Sequence, residues 1–296
     1  NYKHGKLKNA YHDALLMAKT LDNLGFKLVG GKALTNLSKE EMSLEIITFG
    51  DILRTTKGIG VFYFAGHGVQ VNGRNYLIPL NAKMDREEYV KVYGVEVDEV
   101  LAQMEVAQNK MNLMILDACR NNPFSSSYRS ITRGLKMQSA PSGTLILYST
   151  RPGMVAQDGK GRNSPFTTAL TSHMKRPGLK IEEVMRETIK DVERRTQKKQ
   201  TPWQEGFVRD DFYFVKPVKK TVECPRGSKL VGSRCVKKST ECPVGTELIG
   251  SKCVIKSVSC PTGTYQRGSQ CIAQVACPSG SYFKEGTGCV SKNKPK

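Results

Sequence analysis

The sequence is poor in histidine, with four in 296 residues, and in tryptophan, with one. It has no apolar run approaching the roughly 18–20 residues that a membrane-spanning helix needs, and no signal-peptide pattern. That absence does not argue for the cytoplasm, because the chain reads as starting inside a domain. Close Cys-x-x-Cys pairs and clustered histidines are missing too, which disfavours zinc as the use of the cysteines. Neither an aromatic-plus-basic RNA-binding signature nor zinc-finger spacing accompanies the positive charge, so specific nucleic-acid recognition is not expected. Cysteine itself is almost absent from the first 215 residues: Cys119 stands alone there, and the other eight crowd into the last 73.

What is there divides the chain in two. The formal charge is +19. From Lys216 onward there are 15 Lys and Arg against 4 Asp and Glu, a net of +11, which leaves +8 for residues 1–215. A field of that sign favours an acidic surface or glycan as partner, or simply keeps the segment solvated. Residues 216–222 read as a linker. Residues 223–296 form a repeat of 17 to 18 residues, with units opening at Cys224-Pro-Arg-Gly, Cys242-Pro-Val-Gly, Cys260-Pro-Thr-Gly and Cys277-Pro-Ser-Gly. The units close at Cys235, Cys253, Cys271 and Cys289. Eight cysteines in a short segment with little core material imply disulfides and an oxidising, extracytoplasmic compartment. One bridge per unit is the expected pairing, although eight cysteines allow 105 pairings.

Residues 1–215 alternate helical and strand patterns, the signature of a layered α/β domain. Helices are expected over Leu7–Leu24, from a Ser38/Glu41 capping box to about Leu53, over Val97–Gln108, from Ser164-Pro165 to about Met174, and over Ile181–Gln197. Short strands are expected at Phe26–Val29, Thr144–Ser149 and Phe212–Val215, with a hairpin turning at Asn72-Gly73. Arg120–Ser139, with Arg120, Arg129, Arg133 and Lys136, and Arg151–Asn163 read as loops.

The chemistry gathers in Val61-Phe-Tyr-Phe-Ala-Gly66-His67-Gly68 and Met114-Ile-Leu-Asp117-Ala-Cys119-Arg120. Both are uninterrupted apolar runs, as in strands covered on both faces of a parallel sheet, and each ends at a reactive side chain. Ligands bind at the carboxyl ends of such strands. A histidine and a cysteine delivered to one rim are a thiol nucleophile and its base. His4, His12 and His173 fall in helical or terminal segments and read as ordinary packing or surface residues. Asp117 is the other informative residue, because a carboxylate inside an apolar strand is costly unless paired or used.

The wording around these residues resembles the bacterial metacaspase-like (orthocaspase) branch of the caspase-fold peptidases. The resemblance rests on Tyr63-Phe-Ala-Gly-His67-Gly, Asn75-Tyr-Leu-Ile-Pro79, Asp117-Ala-Cys119-Arg-Asn-Asn-Pro123, Gly161-Arg-Asn-Ser-Pro165-Phe and Gln200-Thr-Pro-Trp203. These occur in family order across residues 1–215, and the 52 residues from His67 to Cys119 match the ~50 typical of caspases. The resemblance implies a caspase-like three-layer sandwich around a mostly parallel sheet. Asn1-Tyr-Lys-His matches the segment just after a member's first strand, so that strand is expected to be absent from this sequence.

It also implies a cysteine endopeptidase with Cys119 as nucleophile, His67 as acid/base, and the Gly68 and Cys119 backbone N–H groups as oxyanion hole. The pocket for the side chain preceding the scissile bond would hold Asp117, Asp13 and Ala65. Ala65 stands where many members carry serine, which removes a hydroxyl. Two carboxylates suit arginine, then lysine, and not the aspartate that caspases proper accept. Self-processing at Arg or Lys bonds of the loops is expected. No cofactor is needed for the chemistry. Calcium activates many relatives, but Asp85, Asp98 and Asp158 are too scattered to propose a site. The enzyme is expected to be a monomer. The alternative is a vestigial caspase-fold surface protein whose basic, cysteine-rich segment mediates adhesion or targeting.

Overall fold

A computed structural model describes residues 7–83, 86–119, 131–132, 135, 137–152, 154, 156–218, 224–225, 228–232, 234–237, 242–249, 252–255, 259–267, 270–284 and 287–292. The chain divides into two units, Asn1–Lys219 and Lys220–Lys296.

In the first unit, local signals set most element ends. Helix α1 (Ala10–Asn23) ends before Gly25, whose φ of 86° is the left-handed turn that glycine adopts freely. Helix α2 (Lys39–Thr56) opens on the Ser38/Glu41 capping box. Strand β1 (Ile59–Val71) turns through Asn72 and Gly73, at φ 50° and 79°, into β2 (Arg74–Leu77), the paired positive angles of a type I′ hairpin. Helix α3 (Glu87–Tyr93), strand β3 (Val95–Glu96) and helix α4 (Val97–Ala107) lead to β4 (Met111–Cys119). Then come β5 (Ile131–Thr132), β6 (Thr144–Tyr148), α5 (Pro165–Met174) and α6 (Ile181–Arg195), and the unit's last strand is β7 (Trp203–Gly206).

The sheet is mixed, in the order β3-β2-β1-β4-β6-β7 with β5 on β1. Strands β1, β4 and β6 are parallel, and the remaining pairings are antiparallel. Every residue from Met111 to Ala118 is buried, because β4 is covered on both faces. Leu113 and Ile115 pack with α1, α5 and α6 on one face. Met114 and Leu116 pack with α2 and α4 on the other. This is the three-layer sandwich that the motifs imply.

Three local expectations are corrected. Phe26–Val29 is not a strand. Among the described residues no strand pairs with β1 on its side away from β4 before Gly68, so this segment has no neighbour to bond and a 3-10 turn forms at Val29–Gly31. A cleft of about 270 Å³ lies on that side, lined by Met42, Phe49, Val61 and Phe64 among others. Phe212–Val215 does not close the sheet either; β7 takes that edge. Tyr213 makes only a bridge to Lys180, while the side chains of Phe212 and Phe214 fill the core beside α6. Third, β1 does not stop at His67 but continues to Val71. Arg120, Arg129, Arg133 and Lys136 lie outside the described residues, and β5 interrupts the long loop expected there.

The second unit is four hairpins, one per repeat: Ser228–Val231 with Arg234–Lys237, Thr246–Ile249 with Lys252–Ile255, Thr264–Arg267 with Gln270–Ala273, and Ser281–Lys284 with Gly288–Ser291. Disulfides join Cys224–Cys235, Cys242–Cys253, Cys260–Cys271 and Cys277–Cys289, one per unit as expected. The Pro-x-Gly turns explain the repeat: Thr246 N–H reaches the Pro243 carbonyl at 3.0 Å across Gly245, whose φ is 93°. No described apolar side chain of this unit is buried. Isolated hairpins are marginal in water, so the bridges supply what a core would, about 2–3 kcal/mol per loop by chain entropy.

Candidate active site

The site lies where β1 changes partner. Ile59 to His67 run parallel to Met111 to Cys119, and from Gly68 onward β1 runs antiparallel to β2. His67 and Cys119 are register partners. Neighbouring strands lie about 4.8 Å apart, and register partners in a parallel pair share a face of the sheet. His67 is 3% exposed, and its carbonyl accepts the Ile78 N–H at 2.9 Å. The thiol of Cys119 lies outside the described atoms. The Ile78–His67 bond flanks the Gly68–Leu77 pair in the manner of a non-hydrogen-bonded antiparallel pair, so the Gly68 N–H is not directed at β2. Gly68 has a packing reason as well: a Cβ there would stand 2.9 Å from that of Ala118.

Asp117 and Ala65 are also register partners, two positions before the cysteine and the histidine. Asp13, from α1, is brought to the same place although 104 residues separate it from Asp117 in sequence. Both carboxyls are buried, at 2% and 5% exposed. Ser164 bridges them. Its backbone N–H donates to Asp13 Oδ1 at 2.9 Å, its hydroxyl donates to Asp117 Oδ2, and the same hydroxyl accepts the Thr167 N–H at 2.9 Å as the N-cap of α5. Asn163 Nδ2 donates to Asp13 Oδ1 at 2.9 Å and Thr167 Oγ1 donates to Asp117 Oδ2 at 2.6 Å. Tyr63 Oη lies 2.6 Å from Thr167 Oγ1. The positive end of the α5 dipole thus points at two acids.

Burial pushes the Asp13 carboxyl up to about 7, helped by the charge of Asp117 and more weakly by that of Asp158, against the hydrogen bonds of Asn163 and Ser164. Asp117 is raised too, first by burial, against the bonds from Ser164 and Thr167. None of the ion pairs among the described residues includes either acid. Two acids therefore lie close together in the interior, each favoured in its neutral form by burial.

The raised Asp13 carboxyl makes stability depend on pH. Its folded pKa of about 7 exceeds the ordinary 3.8, so folding takes up a proton between those pH values. The stability this contributes is full below pH 3.8 and is lost as pH rises through about 7. Asp13→Asn keeps the Oδ1 acceptor but cannot ionise. Thermal melts of the variant and wild type should coincide near pH 4 and separate toward pH 8, with the variant higher. The separation corresponds to roughly 1.4 kcal/mol per pH unit between the folded and unfolded values. A wild type that melts higher than the variant at pH 8 would show the carboxylate to be paired.

The other histidines lie elsewhere: His12 stands in α1 edge-on to Tyr11, and His173 in α5 faces Asp191 at 3.7 Å. His4 lies outside the described residues. Sequence reasoning missed Ser164 as a bridge, Asn163, Thr167, Tyr63 and Asp158. Ser164 was legible as a helix cap; its second bond, to a residue 47 positions away, left no local trace. Among the described residues no group of three or more His, Cys, Asp or Glu could hold a metal ion.

The caspase domain family model (peptidase C14) matches residues 1–213. The human mucosa-associated lymphoid tissue lymphoma translocation protein 1 is 31% identical over 122 residues, and the mouse homologue is 30% identical over 120. The match takes in 40% of this chain and 14% of each relative, so the chain spans a small part of the curated relatives' length. Caspase-1 of Spodoptera frugiperda superposes with a TM-score of 0.48 at 18% identity, over 72% of this chain and 84% of that one. With its family model matching residues 1–213 of its 296, the chain belongs to the caspase-domain family of cysteine peptidases.

Proposed function

We propose that the chain is an endopeptidase of the orthocaspase type that cleaves after arginine, then lysine, with a Cys119/His67 dyad. The observation that carries this reading is the paired register: His67 beside Cys119, and two positions earlier Ala65 beside Asp117, with Asp13 tied to Asp117 through Ser164. His67 accepts the thiol proton and the thiolate adds to the scissile carbonyl, whose oxyanion accepts from the Gly68 and Cys119 N–H groups. His67 then protonates the leaving amine, and water hydrolyses the thioester. Asp13 and Asp117 bind the substrate guanidinium, with Asp158 adding negative charge nearby. An aspartate before the scissile bond would meet like charge.

The four disulfides support an oxidising, extracytoplasmic setting, and a monomer remains the simplest assembly for the reading. Calcium as an activator is what the family resemblance implies, and the dyad chemistry does not require it. Self-processing at Arg or Lys bonds belongs to the same reading. The alternative of a vestigial peptidase is favoured by one observation: residues 216–296 carry a net +11 and their hairpins expose Ile249, Tyr265 and Phe283, a surface for an acidic glycan or anionic partner.

Fluorogenic peptides that differ only in the residue before the bond, Arg, Lys, Gln or Asp, test the proposal. Cleavage should fall in that order, with Asp at background. Equal cleavage of Gln and Arg would remove the acidic pocket from the mechanism; no cleavage of any, with and without calcium, would favour the alternative.

A further inference from the structure

The Gln200-Thr-Pro-Trp203 motif plays no part in the chemistry above, yet its first residue is 1% exposed and hydrogen-bonded at both ends of its carboxamide. Gln200 follows α6 after a turn in which Gln197 and Lys198 both take left-handed angles, φ 53° and 62°. Such angles cost non-glycine residues free energy and persist where the surroundings enforce them. Here the Lys198 N–H is held by the Glu193 carbonyl at 2.7 Å, the Thr201 hydroxyl donates to Glu193 Oε1 at 2.8 Å, and the Gln200 N–H donates to Thr196 Oγ1 at 3.2 Å. The turn delivers the carboxamide into the interior.

Its two ends bond two segments that lead to the buried acids. Nε2 donates to the Ser149 carbonyl at 2.7 Å, and Ser149 N–H itself bonds the Leu116 carbonyl at 3.0 Å, one residue before Asp117. Oε1 accepts the Gln157 N–H at 2.9 Å. The next residue, Asp158, is tied to the start of α1: its Oδ2 accepts the Lys8 N–H at 2.9 Å and its carbonyl accepts from Asn9 Nδ2. Asp13 lies one helical turn further on, with its N–H on the Asn9 carbonyl at 2.9 Å. One buried amide therefore links the end of β6, the segment that carries Asp158, and through it α1.

We infer that Gln200 is a positioning residue for the cation pocket, holding the 149–158 segment so that Asp158 adds its charge to Asp13 and Asp117. The inference rests on the reading of those buried acids as the arginine pocket and adds a residue that never touches substrate. Losing the carboxamide frees the segment and leaves a buried donor or acceptor unpaired, while the dyad on β1 and β4 is untouched.

The test uses the full chain and two readouts: steady-state cleavage of an Arg peptide, and calorimetric binding of agmatine, a guanidinium probe that needs no thiol chemistry. Gln200→Glu keeps size and acceptor but loses the donor, and serves if Gln200→Ala does not fold. Expected for either is a KM raised about tenfold with kcat within twofold, and agmatine binding weakened by a similar factor, about 1.4 kcal/mol. Asp158→Asn should weaken agmatine comparably, and the double variant should be no weaker than the single ones. Unchanged agmatine affinity, a fall in kcat alone, or losses that multiply in the double variant would overturn the inference. A chain that binds agmatine but does not cleave would defeat the peptidase reading, and the affinity comparison would still decide the role of Gln200.

Discussion

Cys119→Ala should reduce cleavage of an Arg peptide to background, a loss on the order of 10³-fold or more, since nothing else in residues 1–215 can form the thioester. His67→Ala should lose a similar factor, and the double variant little more, because nucleophile and base act as one unit. The same pair decides self-processing. Purified wild type incubated alone should yield fragments ending in Arg or Lys, and Cys119→Ala should stay intact. Fragments that persist in the alanine variant would trace to another protease. Full activity in that variant would end the dyad assignment. Circular dichroism and melting should be close to wild type, so lost activity is lost chemistry and not lost fold.

Asp117→Asn should act by a different route and almost as strongly. A guanidinium bound between two buried carboxylates should lose about 2–5 kcal/mol when one of them is neutralised, roughly 30- to 5,000-fold in kcat/KM. The loss should fall on Arg and Lys peptides and spare a Gln peptide, because the dyad is unaltered. Stability should move the other way. Burial raises the Asp117 carboxyl above its ordinary 3.8, so stability is lost as pH rises from there through the folded value, and asparagine, which cannot ionise, escapes that loss. A variant that melts higher at neutral pH but discriminates less between Arg and Gln is the expected signature of a site where stability is exchanged for function. An Arg preference left intact would move specificity away from this pair.

Much of this was visible in sequence because the signals were local. The Ser38/Glu41 box, the Asn72-Gly73 turn and the Ser164-Pro165 start each act within four residues, and the elements form where those signals place them. Phe26–Val29 and Phe212–Val215 had strand-like composition, but a strand exists only if a neighbour bonds it. At the first, no described strand stands beside it, and at the second β7 already occupied the edge. His67 showed the limit most clearly. Its position on β1 was readable, whereas its place inside a continuing strand depends on β2 taking over where β4 stops.

The sequence by itself determined the kinds of residue available: one thiol outside the disulfide units, a histidine among glycines, a carboxylate inside an apolar run, and four evenly spaced cysteine pairs. These follow from covalent order and short-range preference. Only the tertiary structure decided that Asp13 shares Ser164 with Asp117, that Asp158 is held to the start of α1, and that Gln200 bonds both Ser149 and Gln157. Each of those links joins segments dozens of residues apart. Bonds of that kind form only after the sheet and its helices have packed, so no local stretch of sequence encodes them.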